Sequence, residues 1–130
     1  MIEGSCHCGA VRWRFESEPD AATICNCTTC RRYGALWIYG WHEEDVFVSG
    51  PTRSYLRGEK ILGLHFCGKC GCIAYWLSVG SGPDGRRRIG VNVRLAEPHA
   101  VADIPIQRFD GFHSYEDLPL DGRHVVDLWF

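Results

Sequence analysis

Hydrophobic side chains in this 130-residue chain lie in short runs separated by glycine, proline and polar residues. Residues 10–15 alternate between apolar and polar side chains, as a half-buried β-strand does. The other runs are rich in aromatic and β-branched residues, which favour strands. These runs predict strands at residues 36–39, 45–48, 54–56, 61–66, 73–79 and 88–93.

Helix is predicted for only two short segments. Residues 28–33 and residues 114–118 each have room for a turn or two of helix. No linker, internal repeat or low-complexity stretch divides the chain. The pattern therefore predicts a single domain over residues 1–130 that is mostly β, with short antiparallel strands.

Charge and hydropathy narrow the classes of partner. A formal net charge of −2 provides no strong field that would attract nucleic acid. No apolar run approaches the roughly 20 residues that span a bilayer. We therefore expect neither a nucleic-acid nor a membrane partner. Three arginines at residues 86–88 follow the turn-forming residues 81–85, and this order predicts an exposed hairpin shoulder, with a phosphate or nucleic-acid patch as the alternative.

The eight cysteines change this picture because they lie in three tight groups. The groups are Cys6-x-Cys8, Cys25-x-Cys27-x-x-Cys30 and Cys67-x-x-Cys70-x-Cys72. Closely spaced thiolates are the soft ligands that zinc prefers, and the groups therefore predict zinc sites at the loops. Disulfides, free thiols and an iron–sulfur cluster are the alternatives. The first residues do not resemble an export signal, so we expect a reducing, cytoplasmic location in which disulfides rarely persist.

The first and third cysteine groups together supply four ligands for one site. Cys6 and Cys8 are two residues apart and lie just ahead of the first predicted strand, so in extended chain both sulfurs face the same side. Cys67 and Cys70 lie in a Cys-Gly-Lys-Cys-Gly sequence that has the form of a zinc knuckle. Pairing the two halves predicts a closed structural zinc site, which would contribute directly to folding.

The middle group is compact enough to hold a zinc ion on one side. Cys25, Cys27 and Cys30 offer three thiolates within six residues. Cys72 is left over as the one possible fourth cysteine ligand, or else as a small buried side chain or free thiol. If Cys72 is not a ligand, the second zinc keeps an open position at which a thiolate, water or carbonyl oxygen can bind.

Three polar residues near the middle group are candidate substrate contacts. Arg31 and Arg32 directly follow the last cysteine, and an arginine matches a carboxylate bidentately. Either arginine is equally well explained as a solvated charge on a turn. Asn26 lies between two cysteines and is a candidate donor to a thiolate or to the substrate.

Aromatic and histidine side chains give weaker signals. Trp37, Tyr39 and Trp41 follow the middle group and form either a pocket wall or part of the core. His42 and His65 are the histidines best placed for acid–base chemistry, although a lone histidine is more often structural.

The order and spacing of the cysteine groups resemble a known family. Residues 4–11, 25–35 and 66–71 are similar to the glutathione-dependent formaldehyde-activating enzyme family, which includes centromere protein V. The similarity runs to about residue 79, and Arg108-Phe109-Asp110-Gly111 gives a weaker match further along. Cys72 stands where the family more commonly has serine or threonine.

This resemblance implies an Mss4-like β-tent fold with two zinc ions. It implies a structural zinc on Cys6, Cys8, Cys67 and Cys70 and a catalytic zinc on Cys25, Cys27 and Cys30. The implied activity is the condensation of formaldehyde with glutathione, formally the reverse of a carbon–sulfur lyase reaction. The alternative is a non-catalytic zinc module that binds a thiol metabolite or a protein partner.

Overall fold

The computed structural model describes residues 1–128 as β-strands joined by short turns and helices. The predicted domain extends to residue 130, two residues beyond the described part. The strands are β1 Ile2–Ser5, β2 Arg12–Phe15, β3 Ala22–Cys25, β4 Leu36–Trp41, β5 Val46–Ser49, β6 Thr52–Leu56, β7 Leu62–Cys67, β8 Ile73–Ser78, β9 Arg88–Asn92 and β10 Ile106–Phe109. The α-helices are α1 Cys30–Tyr33 and α2 Pro98–Val101, and 3₁₀ turns lie at Val93–Leu95 and Val125–Leu128.

These strands form two sheets. A three-stranded sheet has the order β1-β2-β5, and a seven-stranded sheet has the order β10-β3-β4-β9-β8-β7-β6. Neighbouring strands are antiparallel except for β10 and β3, which run parallel. The predicted mostly β class with short antiparallel strands is therefore confirmed. Among residues 1–128, no helix is long and apolar enough to cross a membrane.

The prediction of secondary structure missed three strands and placed one helix wrongly. Three strands were not predicted, namely β1, β3 and β10. Because of β1, Cys6 and Cys8 lie between two strands and not only ahead of the first one. The predicted helix at residues 114–118 is wrong. Tyr115 has a positive φ of 57°, and Asp110 accepts hydrogen bonds from the Ser114 N–H and hydroxyl. Those contacts fold the segment into a turn. The predicted helix at residues 28–33 is present as the single turn α1.

The main core lies on one face of the seven-stranded sheet and includes residues of the three-stranded sheet. Trp13 and Phe15 from β2 are buried in it with Ile38 from β4 and with Ile89 and Val91 from β9. Burial of each large apolar side chain contributes about 1.5–3 kcal/mol. The core therefore fixes the sheet that carries the remaining side chains of β4.

Alternation along β4 places other residues on the opposite face. There Ala35, Trp37, Leu64 and Ile73 form a second, smaller apolar cluster. Cys30 packs against this cluster, together with Phe66 and Trp76. The three-cysteine group thus lies beside an aromatic surface on the far side of the sheet from the main core.

Candidate functional site

The first cysteine cluster contains Cys6, Cys8, Cys67 and Cys70. Their sulfur atoms all lie within 4.8 Å of one another. Cys8 Sγ is 3.7 Å from Cys6 Sγ and 3.6 Å from Cys67 Sγ. The four cysteines come from two distant parts of the chain, and none of them forms a disulfide. Sulfur atoms this close together fit a tetrahedral site for zinc.

Backbone N–H groups point at the sulfur atoms of this cluster. The Val11 N–H donates to Cys6 Sγ at 3.2 Å, and the Lys69 N–H donates to Cys67 Sγ at 3.4 Å. Gly71 has φ of 80°, a left-handed conformation that closes the knuckle through its N–H to the Cys67 carbonyl at 2.9 Å. Such donors stabilise thiolates, the form that binds metal.

Cys72 lies beside the first cluster rather than in the middle one. It packs against the main core, and its thiol interacts with those of Cys70 and Cys6. Within the described chain it belongs to neither group of sulfur atoms that lie within 4.8 Å of one another. The middle cluster is thus left with three cysteines.

The middle cluster is built where β3 ends and α1 begins. The sulfur atoms of Cys25, Cys27 and Cys30 lie within 4.8 Å of one another. The Cys27 N–H donates to Cys25 Sγ at 3.4 Å, and the Cys30 N–H donates to Cys27 Sγ at 3.2 Å. The indole of Trp37 donates to Cys30 Sγ at 3.4 Å. The loop thus provides three sulfur atoms and the donors that favour their ionised form.

The pKa of the Cys25 thiol reflects these contacts. A hydrogen bond with the Cys30 thiol lowers the pKa of Cys25 to about 6, and N–H groups of Cys27 and Gly111 add to this effect. Partial burial acts in the opposite direction. The same sulfur–sulfur contact raises the pKa of Cys30. The contacts of Cys25 therefore favour its thiolate form, which is the form that binds a cation.

These three cysteines line a cavity of about 180 Å³. Its wall includes Tyr39 and Trp76, whose ring centroids are 5.5 Å apart. Burial raises the pKa of Tyr39 to about 12, so its hydroxyl stays protonated at neutral pH. The complete lining is Cys25, Cys27, Cys30, Trp37, Tyr39, Arg57, Leu62, Leu64, Trp76, Phe109, Gly111 and Tyr115. Of the two sequence interpretations, Trp37 and Tyr39 fit a pocket wall, and Trp37 is also buried in the smaller apolar cluster.

Arg57 is a cavity residue that no sequence pattern singles out. It follows β6, and its Nη1 donates to Cys27 Sγ at 3.6 Å across 30 residues of sequence. No local pattern links Arg57 to the middle cysteines, because strand pairing from β6 through β7, β8 and β9 to β4 brings them together. The Arg57 guanidinium thus places a permanent positive charge beside the Cys27 sulfur.

The arginines that the sequence did single out lie elsewhere. Arg31 and Arg32 are exposed on α1 and do not line the cavity. The Arg32 Nη1 donates to the Thr28 carbonyl at 2.8 Å, which turns its side chain along the helix. The contacts of Asn26 are also outside the cavity, since its amide bonds to residues of the 109–115 loop.

The 109–115 loop closes one side of the cavity. Asp110 accepts hydrogen bonds from the Asn26 amide, the His113 N–H and the Ser114 N–H and hydroxyl. The hydrogen bond from the Asn26 amide is the largest of the effects that lower the pKa of Asp110 to about 2. Gly111 approaches the cluster so closely that a Cβ there would lie 2.8 Å from Cys25 Sγ. The Arg-Phe-Asp-Gly sequence noted above begins in β10 and ends in this loop.

The two candidate histidines lie away from this cavity. His65 Nδ1 is 2.8 Å from the Thr52 hydroxyl, and its ring stacks on Tyr75 with centroids 4.6 Å apart. Burial is the main reason that the pKa of His65 is lowered. His42 lies at an isolated bridge with Val46. Neither His42 nor His65 lines the cavity at the middle cluster.

Comparison with known proteins agrees with this arrangement. The family model described as "Glutathione-dependent formaldehyde-activating enzyme" matches residues 1–99. A Halomonas elongata protein that is named for this family is 33% identical over 88 residues, which make up 59% of this chain and 55% of that protein. The chain thus spans about half the length of this curated relative.

A solved structure has the same fold over most of the chain. The crystal structure of a Rhodobacter sphaeroides protein matches with a TM-score of 0.60 and 26% sequence identity, and the match covers 81% of this chain and 99% of that one. The family match includes all three cysteine groups, as the resemblance in sequence implied. The chain belongs to the glutathione-dependent formaldehyde-activating enzyme family.

Proposed function

We propose that this protein binds one zinc ion at each cysteine cluster and joins formaldehyde to the sulfur of a thiol such as glutathione. The observation that carries the proposal is the difference between the clusters. One has four cysteines, whereas the other has three, no fourth cysteine, histidine or carboxylate within the described chain, and a cavity beside it. A closed site suits structure, and an open site suits chemistry.

The four-cysteine cluster has the donors of a structural zinc site. Cys6 and Cys8 come from the loop after β1, Cys67 ends β7, and Cys70 lies in the loop that follows β7. A metal there would tie the three-stranded sheet to the seven-stranded sheet. Because an assembled site rarely exists in an unfolded chain, its binding free energy adds to the free energy of folding.

The three-cysteine cluster has the donors of a catalytic site. Bound zinc at such a site stabilises the thiolate form of a thiol and polarises an aldehyde oxygen. Cys25, Cys27 and Cys30 would hold the ion, and the N–H groups of the loop keep these sulfur atoms oriented. The indole of Trp37 fixes Cys30 from the other side.

The reaction itself is an addition without oxidation or reduction. The substrate sulfur forms a bond to the formaldehyde carbon, and the carbonyl π bond breaks. The thiol loses its proton, and the former carbonyl oxygen gains one. Arg57 lies beside Cys27 Sγ and can donate a hydrogen bond to the oxygen as negative charge develops on it. Trp37 and Trp76 limit the water that competes for the aldehyde.

The test uses the zinc-loaded full chain. ¹³C-formaldehyde and glutathione are mixed, and their exchange with the hydroxymethyl adduct is followed by nuclear magnetic resonance. The proposal requires a faster exchange with the protein than without it, lost in Cys27→Ser. An exchange that is no faster with the protein overturns the synthase proposal. If zinc and glutathione nevertheless bind, that outcome supports the non-catalytic zinc module.

A further inference from the structure

A second concave surface adjoins the three-cysteine cavity on the same side of the seven-stranded sheet. Trp37, Tyr39 and Trp41 alternate along β4 and therefore share one face. Trp41 pairs with Arg88 of β9, which places Arg88 on that face too. The face continues from the middle cysteines past Tyr39 to Trp41 and Arg88.

This surface is a groove of about 790 Å³ at the far end of that face. Its lining includes Trp41, Lys60, Ser78 and Arg88, and it shares Leu62 with the cavity at the middle cluster. The cavity of about 180 Å³ is smaller than the 300–1,000 Å³ typical of sites that enclose a whole ligand. A thiol as large as a tripeptide therefore has to extend beyond the cavity.

The positive charges of the groove are not equivalent. The Arg86 guanidinium lies 3.8 Å from the Trp41 ring but is paired with Glu44 at 2.8 Å and Asp84 at 3.8 Å. The guanidinium of Arg88 lies over Trp41 and Tyr39, at 4.9 and 5.9 Å from the ring centroids. Neither Arg88 nor Lys60 has a carboxylate partner within ion-pair distance in residues 1–128.

Aromatic rings hold Arg88 in a defined place, and no carboxylate among residues 1–128 pairs with its charge. Stacking fixes the plane of the guanidinium, and its N–H groups remain free to bind a carboxylate bidentately. The predicted exposed shoulder at residues 86–88 is fully exposed only at Arg88, because Arg86 and Arg87 are half-buried, and the three arginines have different surroundings. Arg87, the third, donates to the Ser78 carbonyl at 2.6 and 3.0 Å.

The distance between the three-cysteine cluster and Arg88 suits an elongated substrate. Trp37, whose indole contacts Cys30, is two residues from Tyr39, about 7 Å along the strand. The guanidinium of Arg88 is 5.9 Å from the Tyr39 ring. An extended chain of three residues spans about 10 Å, so its sulfur and a distant carboxylate can reach the two places together.

We propose that Arg88, assisted by Lys60, binds the carboxylate end of the thiol whose sulfur reacts at the three-cysteine cluster. This inference rests on the proposed function, because it assigns the distant end of the same substrate. Its substrate class is a thiol that carries a carboxylate several bonds from the sulfur. Tyr39 and Trp76 lie between the ends and form the floor over which the middle of the substrate passes.

The kinetic test compares two thiols in three proteins. Exchange with formaldehyde is measured for glutathione and for 2-mercaptoethanol, which lacks a carboxylate, in the zinc-loaded wild type, Arg88→Gln and Arg12→Gln. Arg12 is a matched control, since it is an exposed strand arginine on the other sheet with no ion pair within the described residues. We expect Arg88→Gln to raise KM for glutathione about tenfold and leave 2-mercaptoethanol unchanged.

A binding test does not depend on turnover. S-methylglutathione keeps the carboxylates but has no thiol, so it is titrated into ¹⁵N-labelled, zinc-loaded protein. The inference requires shifts of the Trp41 indole N–H and the Arg88 Nε–H in the wild type and in Arg12→Gln, and loss of the Trp41 shift in Arg88→Gln. Absence of those shifts overturns it, as do equal effects of the two variants on an exchange that the wild type accelerates. If exchange is not accelerated yet the shifts occur, the proposed reaction fails while the carboxylate site stands.

Discussion

The Asn26 amide donates to Asp110 Oδ1 at 3.0 Å and thereby joins two loops that are 84 residues apart in sequence. The Asn26 Oδ1 in turn accepts the Phe112 N–H at 2.9 Å. Asn26 lies between two cysteines of the middle cluster, and Asp110 precedes the glycine that touches them. The pair therefore fixes the 109–115 loop against the candidate catalytic cysteines.

Replacing Asn26 should loosen the three-cysteine site without unfolding the protein. Asn26→Ala removes both hydrogen bonds to the 109–115 loop, and we expect about a tenfold loss of zinc affinity at the middle cluster. The measurement is competition for zinc with a chromophoric chelator, which resolves a weak site from a tight one. Thr28→Ala is the control, because Thr28 is an exposed polar residue of the same loop. Equal affinities in Asn26→Ala and Thr28→Ala contradict the role of the pair.

Removing single cysteines should separate the two clusters. Cys67→Ser breaks the four-cysteine cluster, and we expect loss of the folded state, seen by circular dichroism and by the loss of dispersed amide signals. Cys27→Ser should keep the fold, lower the zinc content from about two ions to about one and abolish exchange. Elemental analysis of the purified variants measures the zinc content.

Cys72 provides the control for that series. Its thiol lies beside the first cluster and outside the middle one, so Cys72→Ser should keep both zinc ions and the exchange rate. A Cys72→Ser protein that has lost the weaker zinc would place Cys72 in the middle site and argue against an open position there.

The hydrophobic pattern was sufficient to predict the strands that alternate or that are rich in β-branched and aromatic residues. It missed β10, whose four residues pair in parallel with β3, with Phe109 opposite Cys25. No local signal reports a partner that lies about 80 residues away in sequence, and parallel pairing needs such long connections. Strand β1 offers only Ile2 as a large buried residue, since Gly4 lies beneath the Trp13 ring.

In the candidate site too, contacts between residues far apart in sequence could not be predicted. The cysteine groups were predictable because their ligands are close together in sequence, and short spacing implies a shared position. Arg31 was selected for its closeness to Cys30 in sequence, yet α1 leaves it exposed and outside the cavity. Arg57 reaches Cys27 only through the pairing of five strands, which a single sequence does not display.

Arg57 should contribute to the rate rather than to stability. Its Nη1 lies beside Cys27 Sγ, and a charged hydrogen bond from Arg57 to the substrate oxygen would stabilise the transition state by about 1.5–3 kcal/mol. We expect Arg57→Gln to lower kcat by about 10- to 100-fold while the zinc content and melting temperature stay close to those of the wild type. Arg57→Lys keeps the charge and should restore part of the rate. Arg53→Gln, on the strand that precedes Arg57 and outside the cavity, should have no effect on kcat.

Gly111 should tolerate no side chain because of its contact with the middle cluster. A Cβ at this position would lie 2.8 Å from Cys25 Sγ, closer than real Cβ contacts, and 3.0 Å from the Cys27 Cβ, which is tighter than most of them. Since these neighbours belong to a fixed loop, Gly111→Ala should push the 109–115 loop away and distort the sulfur positions. We expect one zinc ion instead of two and exchange no faster than without protein. Gly80→Ala is the matched control, because nothing lies within 4 Å of its Cβ and its φ is not positive. Two tightly held zinc ions in Gly111→Ala would show that the loop yields freely, and the loop would then not define the site.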